Sequence, residues 1–456
     1  MRHQGTARPA EVDDAGCTAG TRGDHRAQHT VRRSVREFAA GPVTGFTSVG
    51  GELHVEQVPL AGIAARHGTP CYVYSRAAIE AAWRAFDGAF DGVPHLVCYA
   101  MKANGNLAVL DVLRRLGSGF DIVSAGELAR VQAAGGDPAR TVFSGVGKTV
   151  AEMAAALGAG ILCFNVESSS ELAQLAAVAA RMGRRAPVSF RVNPDVDAGT
   201  HPYISTGLKE NKFGVPIEEA EALYRTAAAL PSIEVVGIDM HIGSQITDLD
   251  PYRDAATKVL ALVDRLAAGG LALAHVDFGG GLGVRYRDEQ PVGLDAYAAM
   301  LRELMRGRRE TLVLEPGRRL VADAGVLLTR VTALKPGGAR SFAIVDAAMN
   351  DLLRPALYQA WHGIDAVRPR DTPARPWDVV GPVCESADFL GHERMLALAE
   401  GDLLAVRTAG AYGMAMSSNY NARPRAAEVL VDGTRVHLAR RRERIADLFA
   451  SEAPLP

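Results

Sequence analysis

Short apolar runs alternate with longer amphipathic segments through the middle of the chain. In segments such as Ser170–Met182 and Tyr252–Ala268, apolar residues recur three and four positions apart, as in a helix with one buried face. Eight β-rich runs alternate with such segments and end at or near Lys102, Ser124, Gly145, Asn165, Asn193, His241, Gly279 and Glu315. Eight strand-helix units predict a (β/α)8 barrel. An open doubly wound sheet has the same alternation, but the pattern has no obvious reversal point, which favours the barrel.

The pattern changes on both sides of the predicted barrel, residues 76–318. Residues 319–456 carry five strand-like runs separated by turn signals, which predicts a C-terminal, mostly β domain. Segment 49–75 contains the strand-like run Tyr72–Tyr74 and is expected to complete that β domain. Residues 1–48 lack apolar periodicity, so they are predicted to form a disordered N-terminal arm. The expected fold class is therefore α/β plus β, with a TIM-like barrel and a second domain.

Composition narrows the range of partners. The 456 residues include 50 Lys and Arg against 52 Asp and Glu, so the chain lacks the net positive charge that attracts nucleic acid or anionic lipid. No apolar stretch reaches the roughly 18 residues that a membrane helix needs. The five cysteines are scattered, which argues against a disulfide framework and against a zinc site. We therefore expect a cytoplasmic protein that acts on a small molecule, with no nucleic acid, membrane or metal involved.

Lys102 directly follows the apolar run Leu96–Tyr99, which places one amine at the end of a buried strand. Desolvation there favours the neutral amine, and a neutral amine can attack an aldehyde to form a Schiff base. A lone buried lysine is more often half of an ion pair. Active sites of barrels lie at the carboxyl ends of the strands, so Lys102, His241, Gly279–Gly283 and Glu315 are expected to meet at one mouth.

Two further segments suggest binding sites for a phosphate group and for an aromatic ring. The loop Gly279–Gly283 lets backbone N–H groups approach an anion, and Ser244 offers a hydroxyl nearby, although such loops are often simple turns. Its spacing is not that of a dinucleotide-binding motif. Glu315, followed by Pro316, Gly317 and Arg318, presents a carboxylate that could keep a pyridine nitrogen protonated. The alternative is a Glu–Arg ion pair that closes the barrel.

Other candidates have equally ordinary alternatives. His241 could stack on a planar cofactor or be a hydrogen-bonded core histidine. Cys384 could act as a general acid, although a free cysteine is usually a small buried hydrophobe. Arg354, with Tyr358 and Tyr412 in loops, could grip a carboxylate or bind a surface partner.

Together these segments resemble the fold-type III pyridoxal phosphate-dependent decarboxylases, and among them most closely the diaminopimelate decarboxylases. The resemblance runs from about Glu52 to Leu430. It is carried by Tyr99–Asn104, Asp121–Glu127, His201–Gly214, His241–Ser244, Gly279–Gly283, Glu315–Arg318, Arg354–Tyr358, Cys384–Ser386 and Gly410–Arg425. It implies an alanine racemase-like architecture and pyridoxal 5'-phosphate as cofactor.

The resemblance also implies a role for each matching residue. The catalytic residues would be Lys102, Cys384 and His241. The cofactor would be held by Lys102, His241, Ser244, Gly280, Gly281, Glu315, Gly317, Arg318 and Tyr412. The substrate would be bound by Arg318, Arg354, Tyr358, Glu385 and Tyr412. Cys384 and Glu385 would reach the cofactor of a partner subunit, which implies a homodimer with shared active sites.

The expected reaction is α-decarboxylation of an amino acid, with meso-2,6-diaminopimelate giving L-lysine and carbon dioxide as the first choice. Ala348 and Ala387 stand where the resemblance implies glycines, so a related or carrier-protein-bound amino acid is an alternative substrate. A regulatory protein that binds the cofactor without catalysis is a second alternative, against which the intact Lys102, Cys384 and Glu385 argue. Racemisation is disfavoured because a second acid/base group for the other ring face is not evident.

Overall fold

A computed structural model of the chain describes residues 45–197, 212–338 and 340–456. The first described elements are β1 Phe46–Val49, β2 Glu52–Val55, β3 Val58–Pro59, α1 Leu60–His67, β4 Cys71–Ser75 and α2 Arg76–Gly88. Most of the predicted arm, and residues 201–211 of the segment His201–Gly214, lie outside the described residues. The end of the arm is corrected, because β1 begins at Phe46 and pairs with Val55 of β2. Both side chains are buried, which explains why an ordered strand forms there.

Within the described residues, eight parallel strands close into a barrel, with the first strand paired to the last. The strands of this region are β5 His95–Ala100, β6 Gly119–Ile122, β7 Thr141–Phe143, β8 Cys163–Val166, β9 Ala186–Asn193, β10 Val215–Pro216, β11 Ile233–Asp239, β12 His275–Asp277 and β13 Thr311–Leu314. The two-residue β10 pairs only with the end of β9 and stands outside the ring of eight. The barrel prediction is confirmed, and the doubly wound alternative is wrong.

Amphipathic helices follow the barrel strands. They are α3 Leu107–Arg115, α4 Ala125–Ala133, α5 Val150–Ala159, α6 Ser169–Arg181, α7 Ile217–Ala228, α8 Asp250–Ala268 and α9 Leu294–Leu304. In α8 the buried positions include Tyr252, Ala256, Val259 and Val263, which share one face at a helical period. Ser124 caps α4 by accepting a hydrogen bond from the backbone of the third helical residue. None of the helices in the described ranges is both long and apolar enough to cross a bilayer.

A predominantly β domain follows the barrel. Its elements are α10 Arg318–Val321, β14 Gly325–Lys335, β15 Phe342–Val345, α11 Arg354–Tyr358, β16 Ile364–Ala366, β17 Arg375–Val380, β18 Phe389–Leu396, β19 Leu403–Val406, β20 Ala427–Asp432 and β21 Arg435–Arg440. The main path of the sheet runs β18-β17-β15-β14-β4-β20-β21, and β19 pairs with β14 and β16. The five predicted runs correspond to β14, β15, β17, β19 and β20.

Strand β4 lies inside this sheet although it precedes the barrel in sequence. It pairs antiparallel with β14 and parallel with β20, and all five of its residues are buried. The expectation that the N-terminal segment completes the β domain is confirmed. Tyr72 also reaches across and donates a hydrogen bond to the Asp351 carbonyl at 2.7 Å, which fixes the loop before α11. The sheet therefore positions one wall of the barrel mouth.

Candidate active site

The carboxyl ends of the barrel strands surround a cavity of about 240 Å³. The predicted site residues that line it are Lys102, His241, Ser244, Gly280, Gly281, Glu315, Gly317, Arg318, Arg354, Tyr358 and Tyr412. Two predicted residues, Cys384 and Glu385, are exposed and do not line this cavity in the described part of the chain. One chain therefore brings together the predicted cofactor residues but not the predicted proton donor.

Lys102 lies in a short 3-10 turn, Met101–Ala103, directly after β5. Its Nζ donates a hydrogen bond to Oδ2 of Asp121 at 2.5 Å. Asp121 lies in the neighbouring strand β6 and is completely buried. Burial opposes a charge on the lysine, but the negative charges of Asp121 and Glu315 outweigh it and raise the pKa of Lys102 above its ordinary value. The expectation that desolvation leaves the free amine neutral is therefore wrong for the chain without a bound aldehyde.

Three buried carboxyl groups form a cluster, of which Glu315 lines the cavity. Asp239 ends β11, Asp277 ends β12 and Glu315 follows β13, and their carboxyl oxygens lie within 4.8 Å of one another. Burial, together with the charge of Asp121, raises the pKa of Asp277 to about 7. Burial and the same acidic neighbours raise the pKa of Glu315 well above its ordinary value. Like charges this close cannot all ionise in a dry site, which favours the protonated form of Glu315.

Polar groups orient the Glu315 side chain. Ser144 donates a hydrogen bond to its Oε1 at 3.3 Å, and Asn165 Nδ2 in turn donates to the Ser144 hydroxyl at 3.0 Å. Both of these residues are buried. A carboxyl group held in this way can hand its proton to an aromatic ring nitrogen and then stabilise the resulting positive charge.

The glycine loop after β12 packs directly against neighbouring backbone and has no room for a larger side chain. A Cβ at Gly280 would lie 2.1 Å from the Glu315 carbonyl oxygen. Gly281 has a φ of +102°, and its Cβ would lie 2.3 Å from the Gly243 carbonyl oxygen. Only glycine fits both positions without a shift of the backbone. The backbone can therefore approach an anion such as a phosphate closely, which fits the cofactor predicted from the sequence.

His241 stands beside this loop. Its Nδ1 accepts a hydrogen bond from the Gly280 N–H at 3.2 Å, so the neutral ring carries its proton on Nε2. Burial and the positive charges of Arg191 and Lys102 lower the pKa of His241 well below its ordinary value. A neutral imidazole at this position can pack on the face of a planar ring.

Arg318 lies between Ser244 and the far end of the cavity, near Tyr286 and Arg354. It donates to the Ser244 hydroxyl at 2.9 Å and to the Tyr286 hydroxyl at 2.6 Å. Its guanidinium also lies 4.7 Å from the centre of the Tyr412 ring. The backbone N–H of Tyr412 donates to the Ala103 carbonyl at 2.8 Å, so this tyrosine is tied to the turn that carries Lys102.

Arg354 lies at the start of α11, with its guanidinium 4.2 Å from the centre of the Tyr286 ring. Arg354 is only 6% exposed, and burial together with the charge of Arg318 lowers the pKa of Arg354. Among the described residues, no acidic side chain forms an ion pair with Arg354. Two guanidinium groups therefore converge at the far end of the cavity and give it a positive potential that suits a carboxylate.

The loop that carries Cys384 is held by two side chains. Asp388 accepts hydrogen bonds from the backbone N–H groups of Met349 at 2.6 Å and Val383 at 2.8 Å. The Asn421 amide oxygen accepts from the Cys384 N–H at 2.7 Å. The thiol itself is exposed. The loop is thus fixed with its thiol directed away from the hydrophobic core of its own chain.

The two alanines at positions where glycines were expected lie outside the cavity. Ala348 is completely buried and packs against Gly381, where a Cβ would come within 2.5 Å of the Ala348 Cβ. Ala387 is exposed on the Cys384 loop. In the described part of the chain, neither alanine lines this cavity.

Sequence reasoning gave no role to four residues that shape this site: Asp121, Asp277, Tyr286 and His362. The two aspartates stand at strand ends, and the barrel rule used for Lys102 and Glu315 could have identified them. Tyr286 and His362 lie in irregular segments without a local motif, so no pattern in the sequence distinguishes them.

Comparisons with known proteins agree with this geometry. The model of the pyridoxal binding domain of pyridoxal-dependent decarboxylases matches residues 76–322. Diaminopimelate decarboxylases of Pseudomonas aeruginosa and Vibrio cholerae are 64% identical over 405 residues and 59% identical over 407 residues; each match covers 89% of this chain and 98% of the relative. The crystal structure of diaminopimelate decarboxylase from Helicobacter pylori complexed with L-lysine superposes with a TM-score of 0.84 and 43% identity, covering 86% of this chain and 99% of that one.

These matches confirm the predictions of a pyridoxal phosphate cofactor and of a carboxy-lyase. They extend over the barrel and the β domain alike, so the resemblance is not confined to the cofactor site. The chain belongs to the family of pyridoxal phosphate-dependent decarboxylases that includes these diaminopimelate decarboxylases.

Proposed function

We propose that this protein decarboxylates meso-2,6-diaminopimelate to L-lysine and carbon dioxide, with pyridoxal 5'-phosphate as its cofactor. The observation that carries the proposal is the cavity that a lysine amine, a buried carboxyl group, a glycine loop and two arginines line together. The relatives named diaminopimelate decarboxylase and the Helicobacter pylori complex with L-lysine support this choice of substrate.

The residues around the amine would hold the cofactor. When bound, pyridoxal phosphate supplies an electron-withdrawing ring that stabilises negative charge on the substrate α-carbon. Lys102 would hold the aldehyde carbon and Glu315 would give its proton to the ring nitrogen. His241 would pack on the ring face. The phosphate would be bound by Ser244, Gly280, Gly281, Gly317, Arg318 and Tyr412.

Asp121 would control the protonation of Lys102. Its carboxylate accepts a hydrogen bond from Nζ and favours the ammonium form, which cannot attack a carbonyl. The same carboxylate can take up the proton that the amine must lose before it reacts, because the two atoms are already within hydrogen-bond distance. Lys102 and Asp121 would therefore act as a pair.

The distal amino-acid group of the substrate would occupy the far end of the cavity. Arg318, Arg354 and Tyr358 would bind its carboxylate there, because a guanidinium fork matches the geometry of a carboxylate. Binding this end would fix which of the two amino-acid groups reaches Lys102. The distal grip would thus select a substrate with two such groups over one with a simple amine.

The protonation step would require a second copy of the chain. We propose that Cys384 returns a proton to the α-carbon and that Glu385 contacts the substrate, both in the active site of a partner subunit. The exposed thiol on a fixed loop outside its own cavity supports this arrangement.

The free state of the four described cysteines also agrees with the reducing cytoplasm as the compartment.

A subunit-mixing experiment tests the shared site. The variants Lys102→Ala and Cys384→Ala should each be nearly inactive as homodimers. When equal amounts are dissociated and reassociated, half of the dimers should be mixed and carry one intact site. Activity should then recover to roughly one quarter of the wild-type value. Mixtures that stay inactive, although exchange of subunits is shown by a tag, would exclude the shared arrangement.

The reaction itself is tested by carbon dioxide release from a panel of amino acids. Diaminopimelate should be turned over far faster than ornithine, arginine or lysine. Borohydride reduction followed by peptide mapping should place a pyridoxyl label on Lys102, and Lys102→Ala is the matched control without a label. A label on another residue, or negligible turnover of diaminopimelate, would refute the proposal.

A further inference from the structure

Arg354 is a buried cation that contacts an aromatic ring and an imidazole, with a second cation, Arg318, close by. Its Nη1 lies 2.7 Å from Nε2 of His362, and its guanidinium stacks on Tyr286. Long arginine side chains have many rotamers, and fixing one of them costs conformational entropy. Neighbours that hold the guanidinium without neutralising it leave its charge available for a ligand. The role of these neighbours is therefore to direct the charge.

The hydrogen bonds of His362 define its tautomer. A guanidinium nitrogen has only donors to offer, so Nε2 of His362 must accept the bond from Arg354. The proton of the neutral ring is then on Nδ1, which donates to the Arg407 carbonyl at 2.8 Å. Burial and the charge of Arg354 lower the pKa of His362 well below its ordinary value. The ring is thus a neutral acceptor facing a cation.

His362 is itself held on both sides. It is completely buried, and its ring meets the Tyr286 ring edge to face with centres 5.2 Å apart. Its backbone directly precedes Gly363, whose carbonyl accepts from the Arg407 N–H at 2.8 Å, next to the pairing of β16 with β19. The imidazole therefore has one fixed orientation and transmits the position of the β sheet to Arg354.

We propose that His362 is a positioning residue that aims the Arg354 guanidinium at the distal carboxylate of the substrate, an inference that rests on the proposed function. An acidic residue in the same place would hold Arg354 equally well but would neutralise it, whereas an apolar residue would leave Nη1 without a partner. A neutral imidazole avoids both effects. His362 thus contributes to specificity without touching the substrate.

The test compares two ligands that differ only in the distal carboxylate. L-lysine carries this carboxylate, and 1,5-diaminopentane is the same molecule without it. In the wild-type holoenzyme, L-lysine should inhibit more strongly than 1,5-diaminopentane. His362→Phe keeps a ring of similar shape but removes the hydrogen-bond acceptor. The inhibition constant of L-lysine and the KM for diaminopimelate should therefore both rise on the order of 10- to 100-fold. Inhibition by 1,5-diaminopentane, kcat and cofactor absorbance should change far less.

His362→Gln supplies the rescue. Its amide oxygen can reach the position of Nε2 and accept from Arg354, so it should restore most of the preference for L-lysine. His362→Asn is too short to reach Arg354 and should resemble the Phe variant. His392→Phe, at an exposed histidine of β18, is the matched control and should behave as wild type. If His362→Phe does not retain the cofactor, the positioning role is tested by comparing the preference for L-lysine in His362→Gln with that in His362→Asn.

The outcomes separate the two proposals. Wild-type protein that releases no carbon dioxide from diaminopimelate would overturn the proposed function. If the wild type is active and the His362 variants keep the full preference for L-lysine, the positioning role is wrong. Equal loss of affinity for both inhibitors would also overturn it, because that result indicates a general packing defect. A selective loss with rescue by Gln supports it.

Discussion

Asp277 provides a quantitative test of the buried acid cluster. Its ordinary pKa of 3.8 rises to about 7 in the folded chain, chiefly because burial disfavours the charge. At about 1.4 kcal/mol per pH unit, the interval between these two values corresponds to about 4 kcal/mol. Asp277→Asn removes this titration but keeps an oxygen that can accept from the Gly279 N–H, a bond of 2.8 Å in the structure.

The sign of the effect follows from proton binding. Well below pH 3.8, Asp277 is protonated in both the folded and the unfolded chain and does not affect the free energy of unfolding. As the pH rises toward 7, the unfolded chain loses this proton while the folded chain keeps it, so the wild type is progressively destabilised. Above about pH 7 the penalty is constant. Asp277→Asn does not carry this penalty, so its free energy of unfolding relative to that of the wild type should increase with pH.

The assay is urea unfolding of the apoprotein at about pH 5 and about pH 8, followed by tryptophan fluorescence. The difference in unfolding free energy between Asp277→Asn and wild type should increase by about 3 kcal/mol between the two conditions. Asp254→Asn, at an exposed position of α8, is a control that should show no such increase. A difference that is the same at both pH values would refute the account of Asp277 as a buried, protonated acid.

Three further predictions concern the cofactor and the substrate. Gly281→Ala should weaken cofactor retention during dialysis, because its Cβ would strike the Gly243 carbonyl oxygen at 2.3 Å. Asp121→Asn should lower the pKa of Lys102, so apoprotein of this variant should take up the aldehyde at a lower pH than wild type, as followed by absorbance. Arg354→Lys should raise KM for diaminopimelate on the order of 10-fold, because a lysine lacks the guanidinium fork. Unchanged retention, an unchanged pH profile or an unchanged KM would contradict the respective argument.

The order of elements could be predicted because the periodicity of apolar residues changes between strands and helices. The rule that active sites of barrels lie at the carboxyl ends of the strands placed Lys102 and Glu315 at one end of the barrel. It could not give their charges, since these depend on neighbours from other strands. Asp121 reverses the expected protonation of Lys102, and Asp277 helps to keep Glu315 protonated. Side chains that are distant in sequence and adjacent in space decide such pKa values.

The distal end of the cavity illustrates the other limit of sequence reasoning. Arg354 was recognised because a guanidinium in a known motif suggests a carboxylate ligand. The residues that aim it, Tyr286 and His362, come from separate loops and meet only when the barrel and the β sheet pack together. Strands β16, β18 and β21 are not among the predicted runs. Val436 and Leu438 of β21 alternate with polar residues, but neither is buried, so this strand presents no core face.

The placement of β4 has a consequence for the order in which the chain folds. During synthesis this strand emerges before the barrel, yet its neighbour β20 emerges after it, and Tyr74 donates to Glu428, 354 residues later. Until β20 is made, the edge of β4 that later pairs with it keeps unpaired backbone N–H and C=O groups. A ribosome that stalls before residue 427 would therefore release a fragment with an unpaired apolar strand edge, and the segment that carries β20 protects the earlier part of the chain from self-association.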